Sequence, residues 1–145
     1  MLNSIVQEYR TNEQRVNLDY SAPMRPLYHP AIEDVTVQGV LYALSDPIRV
    51  QIFAELVARD KPQPCCALIQ LTGKPLPKST LSQHFRILRE AGLILSERKG
   101  VELHNRSRCE DLSERFGLLI QEILKAYAVE NTRTESASDQ HSKLA

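Results

Sequence analysis

One side of the segment 75–93 combines short polar side chains with a single arginine. On a helical wheel this side carries four hydrogen-bonding residues, namely Ser79, Ser82, Gln83 and Arg86. Hydroxyl, amide and guanidinium groups can bond to base edges and phosphates, and the major groove of DNA is wide enough to admit a helix. A solvated helix face more often carries several lysines and glutamates, although a surface helix of another kind of domain remains an alternative. These residue types therefore favour contact with nucleic acid.

The same segment carries the start and stop signals of one helix. Prolines at positions 75 and 77 disfavour helix before it, and Ser79 or Thr80 is expected to cap its free amides. Gly92 supplies the left-handed residue that ends many helices. Apolar residues recur at i, i+4 and i+7 on the side that would face a core, and these are Leu81, Phe85 and Leu88.

A hairpin is predicted directly after this helix. Residues 93–98 form a strand-like run, Lys99 and Gly100 indicate a turn, and residues 101–106 alternate between apolar and polar. A helix that leads into a hairpin with a basic tip is the arrangement of a winged helix. Arg98 and Lys99 would then reach phosphates or the minor groove.

Two sequence blocks resemble a known family. Residues 43–49 read ALSDPIR, and residues 79–94 read STLSQHFRILREAGLI. Together they resemble the ArsR/SmtB family of bacterial transcriptional repressors, with a similarity that extends over residues 33–127. The resemblance implies a winged helix-turn-helix that dimerises through its N-terminal and C-terminal helices. The residues expected to contact double-stranded DNA are Lys78, Ser79, Thr80, Ser82, Gln83, His84, Arg86, Arg98 and Lys99.

The length of 145 residues is that of one domain with its own core. We expect a mainly α-helical fold with a small β-hairpin. A partly ordered N-terminal arm (1–31) would precede the winged helix-turn-helix domain (32–128), and a polar tail (129–145) is expected to be disordered. No apolar run is long enough to span a membrane and no signal peptide is visible, so a cytoplasmic location is expected.

The formal net charge is zero, but the charges are unevenly distributed. Between residues 71 and 108 there are eight Lys or Arg and three Glu, which gives a net charge of +5. Residues 1–70 carry a net charge of −2 and residues 109–145 one of −3. A basic segment between two acidic ones is the charge pattern expected of a small DNA-binding protein.

Helices on both sides of the basic segment are expected to position it. Asp46 and Pro47 are a preferred pair for starting a helix, and Arg49 either braces the domain or meets a phosphate. A helix at 33–44 and a broad apolar face over 112–127 form the expected dimer interface. A twofold dimer would place two recognition helices about one turn of DNA apart and read an inverted repeat.

Three cysteines are the candidates for sensing. Members of the family commonly release DNA when a metal, metalloid or oxidant binds, so Cys65, Cys66 and Cys109 are possible sensor thiols. Cys66 matches one position of the family's Cys-x-Cys pattern, but Pro64 stands where the other cysteine is expected. Three alternatives stay open: a thiophilic ion held by all three thiols, a disulfide between Cys66 and Cys109, or simple packing. A thiol near a helix N-terminus is expected to be acidified.

The histidines do not indicate a metal site. Residues 110–127 contain no histidine for the family's other kind of metal site, and the four histidines are scattered. His84 contacts DNA or packs at the flank of its helix. The histidines therefore predict no metal site and no cofactor is predicted, while a thiophilic metal or metalloid at the thiols stays an alternative.

Two other function classes fit parts of the pattern. A winged-helix adaptor that binds proteins instead of DNA would tolerate changes at Gln83 and Arg86, but the basic segment argues against it. An enzyme would need Cys66 or Cys109 beside a histidine and an orienting acid, and neither such a pattern nor a glycine-rich phosphate loop is present. The sequence therefore predicts a homodimeric, sequence-specific DNA-binding repressor that a thiol-reactive signal or a small molecule releases.

Overall fold

The computed structural model describes residues 26–69 and 76–142. A 3-10 turn at Ile32–Asp34 precedes the first helix. The helices are α1 (Val37–Ala43), α2 (Pro47–Val57), α3 (Cys65–Ile69), α4 (Lys78–Glu90) and α5 (Ser113–Ser142). The strands are β1 (Gln63–Pro64), β2 (Ile94–Lys99) and β3 (Glu102–Ser107). The predicted helix at 33–44 is thus divided between the 3-10 turn and α1.

The corner between α1 and α2 is fixed by a cap and a buried arginine. Asp46 caps α2 by accepting hydrogen bonds from two amides of its first turn, and Pro47 is the first helical residue, as predicted. The Arg49 side chain turns back toward α1, where its Nε donates to the Ala43 carbonyl at 2.7 Å and its Nη2 donates to the Tyr42 carbonyl at 2.9 Å. Carbonyls at a helix end lack helical partners. Arg49 therefore braces the domain, and its burial removes it from any phosphate.

One apolar core joins the helices to the sheet. The stripe predicted for α4 is confirmed, because Leu81, Phe85 and Leu88 are all buried. Helix α3 is anchored in the same core by Leu68. The other large, fully buried apolar side chains are Ile52, Phe53, Leu56, Leu93, Ile94 and Leu112.

The sheet has one strand more than the predicted hairpin. β2 and β3 pair antiparallel from Ile94 opposite Ser107 to Lys99 opposite Glu102, and they form the wing. The short strand β1 then pairs with the other edge of β3, which gives the order β1-β3-β2. The prediction of a mainly α-helical winged fold is confirmed, with a three-stranded sheet in place of two strands.

The turn from α4 into β2 requires a glycine. Gly92 has a φ of +84°, and a Cβ added there would lie 2.5 Å from Cγ2 of Val35. Both the left-handed backbone and the lack of space exclude larger residues. The predicted helix end at this glycine is confirmed.

The last helix is longer than expected. α5 extends to Ser142, so helix is found where a disordered tail was expected after residue 128. No proline or glycine follows Gly117, and nothing in the sequence therefore interrupts the helix. The domain boundaries themselves stay a prediction. In the described part of the chain, no helix is both long and apolar enough to cross a membrane.

The end of the predicted N-terminal arm packs onto the domain. Residues 26–31 are not helical, and Pro30 is buried. The Pro30 carbonyl accepts a hydrogen bond of 2.8 Å from Nη1 of Arg108, and Nε2 of His29 accepts one of 2.9 Å from the Ser96 amide. The rest of the arm lies outside the described residues, as do residues 70–75 between α3 and α4.

Candidate nucleic-acid interface

Helix α4 presents the predicted polar side to the exterior. All four of its members are exposed, and we call this set the reading face: Ser79, Ser82, Gln83 and Arg86. Lys78 and Thr80 are exposed beside it in the first turn. Because the opposite side is held by buried leucines and a phenylalanine, the reading face has a fixed orientation relative to the core. Its groups can donate to and accept from base edges.

The start of α4 differs from the prediction. Pro77 is the N-cap residue and makes no side-chain cap, so Ser79 and Thr80 lie within the first turn. Proline lacks an amide hydrogen and has a fixed φ, which lets it stand at a helix start without losing a bond. The capping role predicted for the two hydroxyl residues was wrong, and their hydroxyls are not used as the cap.

His84 lies apart from the reading face. Its side chain is turned inward and the residue is only 9% exposed. Its position, three residues after Leu81 and four before Leu88, places it on the buried side of α4. The alternative in which His84 packs at the flank of the helix agrees with this burial, and contact with DNA does not.

Arg86 is held by an acidic neighbour one turn further along α4. Its Nε donates to Oε1 of Glu90 at 2.8 Å, and both side chains remain largely exposed. The hydrogen bond to Glu90 raises the pKa of Arg86. The guanidinium is therefore oriented before any ligand arrives.

The wing carries two exposed cations near its tip. Arg98 and Lys99 lie at the end of β2, and in the described part of the chain neither forms an ion pair. Gly100 makes the turn with a φ of +63°. Lys99 faces Glu102 across the strands, but the Glu102 carboxylate instead bonds Nε2 of His104 at 2.9 Å. The two cations thus stay available to an anionic partner.

Not all of the basic segment faces outward. Arg108 is buried and holds the Pro30 carbonyl, and Arg89 is half-buried and donates to Oγ of Ser96 at 3.3 Å. The exposed cations in the described part of the segment are Lys78, Arg86, Arg98, Lys99 and Arg106. The charge presented to a partner is smaller than the count of +5 indicates.

A buried polar cluster lies behind the recognition helix and the wing, and the sequence analysis missed it. Ser96 Oγ donates to Oδ1 of Asn105 at 2.7 Å, and Nδ2 of Asn105 donates to Sγ of Cys65 at 3.2 Å. Asn105 is completely buried, so its bonds are protected from water. The cluster links α3, α4 and both wing strands through Cys65, Arg89, Ser96 and Asn105. A buried asparagine in an alternating strand gives no local signal of such partners.

The three cysteines are free thiols in different surroundings. Cys66 is exposed, whereas Cys65 and Cys109 are half-buried. Burial raises the pKa of both half-buried thiols, so the acidification expected at a helix N-terminus is not found at Cys65. Among the described residues, no three His, Cys, Asp or Glu side chains gather as a metal site requires. The structure therefore does not bring the three predicted sensor thiols together within one chain.

Residues 44–97 match the model of a helix-turn-helix domain family. This range contains α2, α3 and α4 and reaches into the first strand of the wing, so it covers nearly all of both sequence blocks. Over these residues the chain is similar to that helix-turn-helix domain family, and the hairpin of β2 and β3 that follows makes the fold a winged helix-turn-helix. No curated protein matches the chain.

Several solved structures are similar to this winged helix-turn-helix protein. A homodimeric winged helix-turn-helix DNA-binding domain from Mycobacterium bovis, Mb0332, a possible ArsR-family regulator, shares 28% identity with a TM-score of 0.48. That match covers 57% of this chain and 73% of the other. The transcriptional repressor BigR from Xylella fastidiosa shares 25% identity over 64% of this chain and 84% of its own, with a TM-score of 0.49. An ArsR-like regulator from Rhodococcus sp. RHA1 shares 26% identity over 71% and 89%, with a TM-score of 0.43.

In this winged helix-turn-helix protein, α3 and α4 are the two helices of the motif. α3 carries Cys65 and Cys66 directly behind β1, and α4 carries the reading face. The predicted site residues therefore fall into three places: the exposed side of α4, the tip of the wing, and the thiols of α3. Cys109 stands apart, between β3 and α5.

Proposed function

We propose that this protein is a homodimeric, sequence-specific DNA-binding transcriptional repressor that an effector releases. The observation that carries the proposal is the exposed reading face of α4, presented beside a wing whose Arg98 and Lys99 form no ion pair with any described residue. The reading face would contact base edges in a major groove. Lys78, Arg98 and Lys99 would contact phosphates and supply most of the salt-dependent affinity. A regulator of this kind would act in the cytoplasm.

Dimerisation is supported by apolar side chains left exposed on α1 and α5. Leu118 is 80% exposed and Tyr42 is 62% exposed, while Val37 and Leu41 are about half exposed on one side of α1. Arg115 of α5 donates to carbonyls just before α1, which places the start of α5 beside that helix. Large apolar side chains left exposed on neighbouring helices commonly mark a protein interface.

This set of exposed apolar residues differs from the one predicted. Much of the apolar face expected on α5 is used by the protein's own core, where Leu112, Phe116 and Ile120 are buried. Leu118, on another side of the helix, was not predicted. Leu118→Asp should convert the dimer to a monomer without unfolding it, because the side chain makes little contact within its own chain. Sedimentation equilibrium would measure the mass, and an unchanged dimer mass would exclude this interface.

The symmetry of the dimer would determine the symmetry and the spacing of its DNA site. Two copies of α4 related by a twofold axis would enter successive major grooves on one side of the duplex. We therefore expect an inverted repeat whose half-sites lie about 10 base pairs apart, centre to centre. Occupancy of such a site within a promoter would block transcription.

The effector is proposed to act through the thiols. Cys66 is exposed on the first helix of the motif, and Cys65 accepts a hydrogen bond from the buried Asn105, which is linked through Ser96 to Arg89 of the recognition helix. Modification of these thiols would disturb the support of α4. Since burial raises the pKa of Cys65 and Cys109, we expect Cys66 to react first with a soluble alkylating agent.

The test is a binding selection from random DNA duplexes with the reduced protein, repeated after treatment with diamide or arsenite. An enriched inverted repeat that is lost on treatment would support both the repressor and the thiol sensor. An enriched repeat that neither reagent affects would support the DNA-binding function. It would also show that the effector is not thiol-reactive, and the proposed effector would then be a small molecule. No enrichment under any condition would refute the proposal and favour a winged-helix adaptor that binds proteins.

A further inference from the structure

The ion pair between Arg86 and Glu90 lies on the recognition helix itself. The two residues are four positions apart, and Nε of Arg86 donates to Oε1 of Glu90 at 2.8 Å. Their side chains are 61% and 45% exposed, so the pair faces the exterior beside the reading face. In the described part of the chain, Glu90 is the hydrogen-bond partner of the Arg86 side chain.

In this geometry one guanidinium nitrogen of Arg86 donates to Glu90, and the other two nitrogens can still donate to a ligand. Because Nε is engaged by the carboxylate, the terminal amino groups Nη1 and Nη2 remain as a planar pair of donors. A planar donor pair matches O6 and N7 of guanine in the major groove, which is the commonest specific arginine contact. A free arginine would lose rotamer freedom on binding, whereas Arg86 is already restrained by Glu90.

Helix stability does not account for Glu90. It is the last residue of α4, where a negative charge is unfavourable to the helix dipole. Pairs in which the acid follows the base by four residues are also the less stabilising orientation, and exposed ion pairs contribute little. A carboxylate on a DNA-facing helix would moreover repel phosphates. Glu90 therefore stands where it costs both helix stability and non-specific affinity.

We propose that Glu90 is a positioning residue that holds Arg86 ready to read one guanine in each half of the DNA site. The inference deepens the DNA-binding function proposed above and rests on it. It assigns the base-specific contact to Arg86, and it makes Glu90 a source of specificity that acts without touching the DNA.

The test measures base preference one position at a time. The site selected by the unaltered protein is varied singly at each position, and binding is compared for the unaltered protein, Arg86→Ala, Arg86→Lys, Glu90→Ala and Glu90→Gln. Arg86→Ala should lose the guanine preference at one position per half-site, by about tenfold to a hundredfold. Glu90→Ala should lose most of the same preference while its affinity for random DNA stays equal or rises.

Two further variants of the pair show whether geometry or charge matters. Arg86→Lys keeps the positive charge but lacks the planar donor pair, so it should not restore the guanine preference. Glu90→Gln keeps an acceptor oxygen at the same reach, so it should retain more of the preference than Glu90→Ala.

A matched control is available at the end of α2, where Glu55 lies in the helix and Arg59 lies just after it. Arg59 donates to Oε2 of Glu55 at 3.4 Å across the same four-residue spacing, with both side chains partly exposed. Arg59→Ala and Glu55→Gln should leave the base preference at every position unchanged. All variants are compared at equal dimer mass and helical content, so that a folding defect is recognised.

The failures of this proposal and of the DNA-binding function are distinguishable. If the unaltered protein selects no site, the DNA-binding function fails and the inference fails with it. If a site is selected and Glu90→Ala keeps the full guanine preference, the positioning role of Glu90 is overturned. If Arg86→Ala weakens binding to all sequences equally and lowers the salt dependence by about one phosphate contact, Arg86 binds the backbone and the inference is overturned.

Discussion

The inward-facing and outward-facing arginines of this protein carry the same charge but differ in their contacts. Arg49 and Arg108 are buried and donate to backbone carbonyls at the edges of helices and of the N-terminal segment. Arg86 and Arg98 are exposed, and they lie on α4 and on the wing. A guanidinium has five donors in a rigid plane. It can therefore donate to backbone carbonyls that lack a helical partner, and it can also bind nucleic acid. Burial keeps Arg49 and Arg108 away from any external anion, whereas an exposed arginine can serve either purpose, since exposed Arg115 also donates to backbone carbonyls.

The largest effect is expected from an inward arginine. Arg49→Ala removes two charge-assisted hydrogen bonds, and the one to the Ala43 carbonyl is lost in a buried site, while the Tyr42 carbonyl keeps Ser45 Oγ as a donor. We expect the free energy of unfolding to fall by about 3 kcal/mol. Arg49→Lys should recover only part of this, because an ammonium cannot reach both carbonyls with the same plane of donors. Urea denaturation would measure the change.

An exposed arginine just after the same helix provides the control for Arg49. Arg59→Ala removes only bonds at the surface, so its effect on stability should stay within about 0.5 kcal/mol. Equal losses for Arg49→Ala and Arg59→Ala would contradict the division of the arginines into two groups.

A smaller effect, on binding alone, is expected from the outward cations of the wing. The double substitution of Arg98 and Lys99 by alanine should lower affinity for all DNA sequences by roughly tenfold and reduce the salt dependence by about two phosphate contacts. Stability should not change, since neither side chain forms an ion pair within the described chain. Binding measured at several salt concentrations checks this. A loss confined to certain sequences would instead assign base contacts to the wing.

The sequence predicted the parts of the fold that local patterns determine. The stripe of α4, its end at Gly92, the cap at Asp46 and the wing all follow from neighbouring residues, and all four were found. The third strand was missed because Gln63 and Asn105 are far apart in the chain, so no local pattern joins them. A strand of two residues, one of them proline, also carries no alternation to detect.

The candidate site was predictable in outline but not in detail. The exposed side of α4 follows from helical periodicity, and the four residues of the reading face are exposed as predicted, while their contact with DNA stays a prediction. The spacing of His84 from Leu81 and Leu88 already places it on the buried side of α4. Periodicity could not show that Arg89 and Arg108 serve the interior, because each depends on contacts with distant segments. The same holds for the half-buried thiols, whose raised pKa depends on the tertiary fold.

The smallest expected effect is on the pH dependence of stability. It comes from His29, which lies near Arg89 and Arg108. Nε2 of His29 accepts a hydrogen bond from the Ser96 amide, which requires a neutral ring. Burial lowers the pKa of His29 below its usual value of 6.5, and Arg89 and Arg108 lower it further, against a backbone hydrogen bond at Leu27 that raises it. As the pH falls through 6.5, the unfolded chain takes up a proton that the folded chain resists.

Stability should therefore be complete above the usual histidine pKa and decline as the pH falls toward the lowered value. His29→Gln keeps an acceptor for the Ser96 amide and does not titrate, so it should flatten this part of the profile. Urea midpoints of both proteins from about pH 8 to about pH 5 would test this, because titration of the other histidines is common to both and cancels. Identical pH profiles would show that neither burial nor the two arginines lowers the pKa of His29 in the folded protein.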